Sequence, residues 1–212
     1  MQLYYSRNLN PRVAVAVARH LGSPVDYIAA APMAPDQIEA FRPINPNTRV
    51  PVLTTPERNY WEADAITCKL SSLAVSDFWR TGDSQPEMVM WISWATHHLN
   101  SAGGVFYFWK LIAPQFMDFQ PDQSVFDEAM RDWRQFMGIL DGQLAGRKWL
   151  VDDRLSYADF RVATCFPFAE AAGLPLAEFP QVQRLADQLN QLDAWRDPFA
   201  GLASRLNRDK IS

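Results

Sequence analysis

The sequence predicts a two-part fold: an α/β domain over residues 1–75, a linker over residues 76–85 and an all-helical domain over residues 86–212. Three observations predict it. In the first part, short β-prone runs alternate with helical patterns. A polar stretch rich in Ser, Asp, Thr and Gly follows, which is typical of a linker. Beyond it the strand signal disappears, and apolar residues recur at three- and four-residue steps, which indicates a helical bundle.

The first elements are a strand, a turn and a helix. A β-prone run at residues 3–5 is followed by a polar turn. Asn10 is a good helix N-cap, and Pro11 after it suits the first helical position. The apolar spacing predicts a helix over residues 13–21, and Gly22 suits its C-terminal stop.

Three further β-prone runs and one helical pattern complete the first domain. The run at residues 25–30 closes a strand–helix–strand unit, which implies a parallel pair with a right-handed crossover. The run at residues 50–53 contains Pro51, which argues against an ordinary central strand and predicts a special turn with a cis Val50–Pro51 bond. A short strand at residues 60–61 precedes a helix over residues 62–73.

The second domain is predicted to contain four helices. The first lies around residues 89–99 and is interrupted by the Gly-Gly pair at residues 103–104. The strongest amphipathic pattern covers residues 125–144. A third helix is expected over residues 155–172 and a fourth over residues 179–192.

Composition and charge exclude several classes of function. The chain has 212 residues, a formal net charge of −4 and 48% hydrophobic residues, which is a globular composition. The slight acidic excess argues against a nucleic-acid-binding protein. No apolar stretch approaches the roughly 18 residues of a membrane span, and no secretory signal is seen, so we expect a cytoplasmic protein with no membrane partner. Two cysteines are too few for a disulfide scaffold, and no residues have the spacing of a metal site.

Three short motifs occur in the order and at the distances of one known family. Residues 45–53 read Asn-Pro-Asn-Thr-Arg-Val-Pro-Val-Leu, residues 62–66 read Glu-Ala-Asp-Ala-Ile, and residues 155–160 read Leu-Ser-Tyr-Ala-Asp-Phe. Each is weak alone, but together they resemble the glutathione transferase superfamily over nearly the whole chain. The resemblance implies a thioredoxin-like N-terminal domain, a helical-bundle C-terminal domain, and glutathione as co-substrate without a metal.

The third motif is interpreted as structural. Ser156 and Asp159 have the spacing of a capping box at a helix start, with Leu155 and Phe160 at the hydrophobic-staple positions. We do not expect this motif to form a site.

The first two motifs imply how glutathione is held. With Pro51 in cis, the main chain of Val50 is expected to pair with the cysteinyl main chain of glutathione like an added strand. The N–H groups at the start of the helix over residues 62–73 suit a carboxylate, and Glu62 suits the ammonium of the same γ-glutamyl group. Ala63 replaces the family's serine, so one hydrogen bond is lost and binding is expected to be weakened rather than abolished.

Charged neighbours modify the expected glutathione site. Asp64 follows Ala63 and repels a carboxylate unless it points to a partner or to solvent. Arg7, Arg12 and Arg49 are expected either around the cleft, where they favour a carboxylate-rich ligand, or as solvated surface charges.

The catalytic turn departs from the Tyr, Ser or Cys that family members use to stabilise the thiolate of glutathione. It resembles a bacterial branch with Thr or Asn followed two residues later by Asn, in which the asparagine N–H faces the sulfur. On that resemblance Asn10 is the first candidate and Asn8 the second, with Ser6 and Tyr5 as runners-up. A hydrogen bond to the charged form lowers the thiol pKa.

The substrate side is expected near the Gly-Gly pair, where His98, Tyr107 and Phe108 are candidates. Aromatic residues at this density equally suit core or dimer contacts, and His98 equally suits an interhelical position. The resemblance implies a homodimer, with the helices over residues 62–73 and 88–100 at its interface.

Two functions follow from the resemblance. The first is a glutathione-dependent transferase acting in detoxification, which conjugates glutathione to a small electrophile or reduces a disulfide or peroxide. The alternative is a non-catalytic binding or scaffold protein of the same fold, which Ala63, Asp64 and the unusual catalytic turn favour.

Overall fold

The protein, described here by a computed structural model covering residues 1–203, forms two compact units. The first comprises Met1–Trp79 together with residues 192–203, and the second comprises Arg80–Gln191. This division differs from the predicted one, because residues 192–203 belong to the first unit rather than to the helical domain. The remainder of the predicted second domain, residues 204–212, lies outside the described residues.

The first unit is built on a four-stranded mixed sheet in the order β2-β1-β3-β4. β1 and β2 are parallel, which confirms the predicted crossover unit, and the other neighbouring pairs are antiparallel. One face of the sheet packs Tyr4, Ile28 and Val52 around Phe41. The strands are β1 Gln2–Tyr5, β2 Asp26–Ala29, β3 Val52–Thr54 and β4 Asn59–Trp61.

The first helix begins earlier than predicted. α1 runs over Leu9–His20 with Asn8 as its N-cap, and the Arg12 N–H donates to the Asn8 carbonyl at 2.9 Å. The prediction that Asn10 caps this helix is therefore wrong. Asn10 lies in the first turn, and Pro11 is still within the first four positions, whose N–H groups have no intrahelical acceptor. A proline there leaves the helix intact, which is why the start was misplaced by two residues.

The end of α1 is at the predicted glycine. Gly22 has a φ of +58°, and the N–H groups of Gly22 and Ser23 donate to the carbonyls of Arg19 and Ala18. This is a Schellman motif, which needs the left-handed conformation that glycine adopts freely. The remaining helices of the first unit are α2 Ile38–Phe41, α3 Ala63–Leu73 and α10 Asp193–Arg196.

The second unit is helical throughout its regular elements. No helix within residues 1–203 is long and apolar enough to cross a bilayer. Its α-helices are α4 Gln85–Trp94, α5 Asn100–Phe106, α6 Gln123–Gln143, α7 Tyr157–Val162, α8 Ala169–Ala172 and α9 Pro180–Asn190, with π-helical turns at Ala95–Leu99 and Tyr107–Ile112.

Two helix predictions in this unit are wrong. The Gly-Gly pair does not interrupt a helix, because α5 runs through it; a Cβ on Gly103 would lie 2.6 Å from the Trp133 ring and 2.9 Å from Cys165 Sγ. Gly103 therefore permits close packing. The predicted helix over residues 155–172 is two helices, α7 and α8. Pro167 lies in the connection, and a proline within a continuous helix clashes with the carbonyl four residues earlier.

The start of α7 confirms the predicted capping box. The buried Asp159 carboxylate accepts hydrogen bonds from the Ser156 N–H at 2.8 Å, the Ser156 hydroxyl at 3.1 Å and the Leu150 N–H at 3.0 Å. All of these partners are internal to the second unit, so the motif is structural, as predicted.

Candidate functional site

The strand register brings the three predicted glutathione-binding segments to one edge of the sheet. Val52 pairs with Tyr4 on one side and with Trp61 on the other. β3 runs antiparallel to both neighbours, so the end of β1, the residue before Val52 and the residue after Trp61 lie at the same edge. The turn after Tyr5, the Val50–Pro51 bond and the start of α3 therefore meet there.

The loop that leads into β3 is held from within by one buried side chain. Asn45 is only 2% exposed; its Nδ2 donates to the Arg49 carbonyl at 2.9 Å and its Oδ1 accepts from the Asn47 N–H at 3.0 Å. The Val50–Pro51 bond that follows is cis, as predicted. Within residues 1–203, neither the N–H nor the C=O of Val50 has a hydrogen-bond partner. This main chain is therefore available for pairing with a ligand.

The start of α3 combines an exposed end with a strained residue. Glu62 precedes the helix with φ 72° and ψ 131°, a conformation that non-glycine residues rarely adopt, and its side chain makes no capping hydrogen bond. The side chain is exposed, whereas Ala63 is 2% exposed and Asp64 is half-buried. The first N–H groups of an α-helix have no intrahelical acceptor and carry a partial positive charge, which favours an anion at this end of α3.

The four residues that are candidates for donating a hydrogen bond to the glutathione thiolate have different surroundings in the turn after β1. Tyr5 is 1% exposed, and its hydroxyl donates to the Ala203 carbonyl at 2.8 Å. Burial raises the pKa of the Tyr5 phenol, an effect that Arg7 and Arg19 oppose. Ser6 Oγ is buried without a hydrogen-bond partner among the described residues.

The two asparagines of the turn are exposed. Asn8 is the N-cap of α1, and Asn10 is on its first helical turn. The positive end of the α1 dipole is therefore beside both side chains.

The three expected arginines have different surroundings. Arg49 is exposed and donates to the Thr48 carbonyl at 3.2 Å. Arg12 is 5% exposed and donates to the Trp195 carbonyl, and burial lowers its pKa to about 10. Arg7 donates to the Leu202 carbonyl. Arg12 is thus buried against the C-terminal part of the first unit and does not face the cleft, whereas Arg7 is exposed in the turn after β1.

The three substrate candidates of the second unit have different neighbours. The exposed His98 lies 5.1 Å from the Phe136 ring and lines a cavity of about 240 Å³ between α5 and α6. Tyr107 is 8% exposed and packs on Phe168 at 4.9 Å, and burial raises its pKa to about 12. Phe108 is exposed and packs on Trp109 and Phe116.

Comparisons with known proteins agree with this architecture. Residues 105–193 match the model of the glutathione S-transferase C-terminal domain family. Glutathione S-transferase GstB of Escherichia coli is 27% identical over 161 residues, which cover 74% of this chain and 76% of that protein. These matches support the resemblance to the glutathione transferase superfamily.

Solved members of the superfamily share the whole fold. A possible glutathione S-transferase from Rhodopseudomonas palustris superposes with a TM-score of 0.79 at 20% identity, covering 91% of this chain and 95% of that one. A family member from Pseudomonas fluorescens, solved with two glutathione molecules bound, gives a TM-score of 0.76 at 19% identity, covering 93% and 91%. The thioredoxin-like first unit and the helical second unit thus have the folds that these structures share.

Two features of this glutathione transferase fold were missed from the sequence. Asn45 enters the sequence analysis only as the first residue of a motif, although its side chain organises the approach to Val50. The link from Tyr5 to Ala203 was also missed, because the partners are 198 positions apart and no local pattern indicates such a contact. The Asn-Pro start of the first motif was the one available signal, since asparagine side chains often hydrogen-bond the main chain two residues on.

Proposed function

We propose that this protein binds glutathione at the edge of its sheet and stabilises the thiolate for attack on a small electrophile, or on a disulfide or peroxide. The observation that carries the proposal is the unpaired main chain of Val50 beside the exposed start of α3. Detoxification in the cytoplasm is the setting we propose for this activity.

The two binding segments match the two ends of the tripeptide. The Val50 N–H and C=O offer one donor and one acceptor, as an added strand requires. The start of α3 offers N–H groups and a positive partial charge for the γ-glutamyl carboxylate, and the exposed Glu62 side chain offers an anion for the ammonium. The strained backbone of Glu62 is consistent with a functional role, because such conformations cluster at binding sites.

The residue that donates a hydrogen bond to the thiolate is proposed to lie in the turn that follows β1. Asn10 remains the first candidate, since its exposed amide lies in the first turn of α1 and has donor N–H groups. Asn8, as N-cap, is the second. Ser6 is a runner-up with a buried, unpaired hydroxyl, whereas the Tyr5 proton is already donated to Ala203. No donor attacks the electrophile; the sulfur does, and the donor lowers the pKa of its thiol.

A non-catalytic binding or scaffold role is the second candidate function. Ala63 supplies no hydroxyl at the start of α3, and the half-buried Asp64 carries a negative charge next to the proposed carboxylate position. Both weaken glutathione binding. In this case glutathione binds without accelerating any thiol reaction.

The protein is further proposed to form a homodimer. Leu73 at the end of α3 is 48% exposed, and Val89 and Met90 on α4 are 45% and 54% exposed. Apolar side chains exposed in this way on the two predicted interface helices favour a self-association surface. Sedimentation at micromolar concentration is expected to give a dimer of the 24.2 kDa chain, and a monomer would contradict this.

A thermal-shift titration with glutathione tests the proposed site. The wild-type midpoint should rise with glutathione concentration, since a ligand that binds only the folded state stabilises it. Glu62→Gln should reduce the shift, whereas Glu57→Gln, an exposed carboxylate in the turn before β4, should not. No shift in the wild type would contradict glutathione binding.

Turnover separates the two candidate functions. The same wild-type protein should accelerate glutathione conjugation of an aromatic electrophile, or reduction of a disulfide or peroxide. A thermal shift without any acceleration over this panel would favour the non-catalytic role.

A further inference from the structure

The chain returns to the first unit after α9 and packs along α1. We call Leu192–Ala203 the C-terminal segment; it contains α10. Arg12, buried in the first turn of α1, donates to the Trp195 carbonyl, and its guanidinium lies 4.6 Å from the centre of the Trp195 ring. Trp195 is 1% exposed. This contact anchors the first part of the C-terminal segment by a desolvated cation–π pair and a charge-assisted hydrogen bond.

The second part of the segment reaches the C-terminal end of α1 and the turn that precedes this helix. Arg19, near the end of α1, donates to the Ala200 carbonyl at 2.5 Å. Arg7, in the turn, donates to the Leu202 carbonyl at 3.3 Å. The Tyr5 hydroxyl donates to the next carbonyl, that of Ala203, at 2.8 Å. Two consecutive carbonyls are thus bound by the two residues that flank Ser6.

One aromatic ring fills the space between these bonds. Phe199 stacks on the Tyr5 ring at 5.7 Å with an interplanar angle of 23°, and the Arg7 guanidinium lies 5.0 Å from the centre of the same ring. Tyr5, Phe199 and Arg7 therefore share one stacked contact. A turn whose flanking residues contact one ring and two adjacent carbonyls has fewer conformations open to it.

We infer that the C-terminal segment positions the turn after β1, with Tyr5 and Arg7 as the positioning residues that connect the two. Apart from these contacts, the turn is exposed to solvent at Arg7 and Asn8. Catalytic groups must be held within about 0.5 Å of their working geometry, and a solvated turn does not supply that restraint alone. The segment supplies it from the far end of the sequence.

The role of Tyr5 is therefore different from donating a hydrogen bond to the thiolate. Its ring is buried and its proton is committed to Ala203, so it acts through the turn rather than on the sulfur. The charged groups facing these contacts are Arg7 in the turn, Arg19 on α1 and, next to Arg12, Asp197 of the segment itself. The catalytic consequence rests on the proposed function, whereas the conformational consequence does not.

Amide hydrogen exchange tests the conformational part. The variants are Tyr5→Phe, which removes only the hydroxyl, and Arg7→Met, which keeps most of the side-chain volume. In both, exchange of the amides at residues 6–8 should become at least severalfold faster, while exchange in α6 stays unchanged. Tyr27→Phe is the matched control, because its ring lies 6.5 Å from that of Tyr5 but, within residues 1–203, its hydroxyl makes no hydrogen bond to the C-terminal segment. Unchanged exchange at residues 6–8 in both variants would overturn the inference, whether or not the protein uses glutathione.

Kinetics test the catalytic part in the same variants. Loss of the restraint should lower kcat and shift the acid limb of the pH–rate profile upward by up to about one pH unit, equivalent to about tenfold less thiolate below the pKa. KM for glutathione should change little, since the Val50 and α3 contacts remain. A purely structural role would lower thermal stability and leave the pH profile in place, which would overturn this part. A wild-type protein that neither binds glutathione nor shows activity would instead count against the proposed function.

Discussion

The starts of α7 and α3 show two opposite ways to complete a helix N-terminus. At α7, Asp159 and Ser156 are buried, and the carboxylate accepts three hydrogen bonds from its own unit. At α3, Glu62 is exposed, strained and without a capping hydrogen bond. Both starts carry a motif that resembles the same superfamily, but only one is complete without a ligand.

The difference separates structural motifs from binding motifs. A helix start whose N–H donors are satisfied inside the protein contributes to folding, and a substitution there should change the free energy of unfolding. A helix start whose N–H donors lack partners within the protein suits the binding of an anionic ligand, and a substitution there should change the affinity for that ligand. The predictions below test this separation, beginning with the largest expected effect.

Asp159→Ala should lower the free energy of unfolding by about 3–4 kcal/mol, because two buried N–H groups and a hydroxyl lose their acceptor. Urea denaturation measures it. Asp187→Ala, an exposed carboxylate on α9 that accepts a hydrogen bond from Gln183, should change stability by less than about 0.5 kcal/mol. Equal effects of the two substitutions would remove the distinction between the buried start and the surface.

Asp159→Asn should also change how stability depends on pH. Burial raises the pKa of Asp159 to about 6, against which its hydrogen bonds act, whereas an unfolded aspartate titrates near about 4. The folded carboxyl holds its proton more tightly, so its contribution to stability is complete below about pH 4 and is lost as the pH rises through about 6. The wild type should therefore lose up to about 2–3 kcal/mol relative to Asp159→Asn across this window.

Denaturation curves at several pH values give this difference directly. Asp187→Asn should retain the wild-type slope. A wild-type curve parallel to that of Asp159→Asn between pH 4 and 6 would mean that the buried carboxyl titrates like an exposed one.

Asn10→Ala tests the open edge by turnover. If its amide stabilises the thiolate, the variant should lose about tenfold in kcat/KM and show a raised apparent pKa in the pH–rate profile, since a hydrogen bond to a charged group contributes about 1.5–3 kcal/mol. Asn8→Ala, on the same turn, should have the smaller effect. Full turnover with an unmoved profile would reject Asn10 and make Ser6 the next residue to replace.

Ala63→Ser should have the smallest effect and sharpen the comparison most. A hydroxyl at the start of α3 is expected to tighten glutathione binding by up to about tenfold, on the order of 1 kcal/mol. Ala65→Ser is the control, because Ala65 is exposed on the same helix but is not at its first position. Calorimetric titration measures both. Unchanged affinity in Ala63→Ser would indicate that the helix N–H groups already suffice for the carboxylate.

Local sequence patterns predicted the parts of the fold that depend on local physics. The alternation of strands and one helix, the cis proline in a β-prone run and the Ser-x-x-Asp capping box are each determined within a few residues, and each is present. The errors arose where a local rule had a second solution. Gly103 was predicted to interrupt a helix, but its missing side chain permits close packing inside one. The Asn10-Pro11 pair fits the first turn of a helix as well as it fits an N-cap followed by the first helical position.

What the sequence determined by itself is the fold class and the order of most elements, because apolar periodicity, capping residues and proline restrict the main chain locally. Only the tertiary structure decided which residues complete the candidate site. Tyr5 and Arg7 meet Leu202 and Ala203, nearly 200 positions away, through hydrogen bonds that depend on where the chain returns rather than on any nearby residue. The strand register likewise assembles Val50, Glu62 and the turn at one edge, since pairing across a sheet joins positions that no spacing along the chain relates.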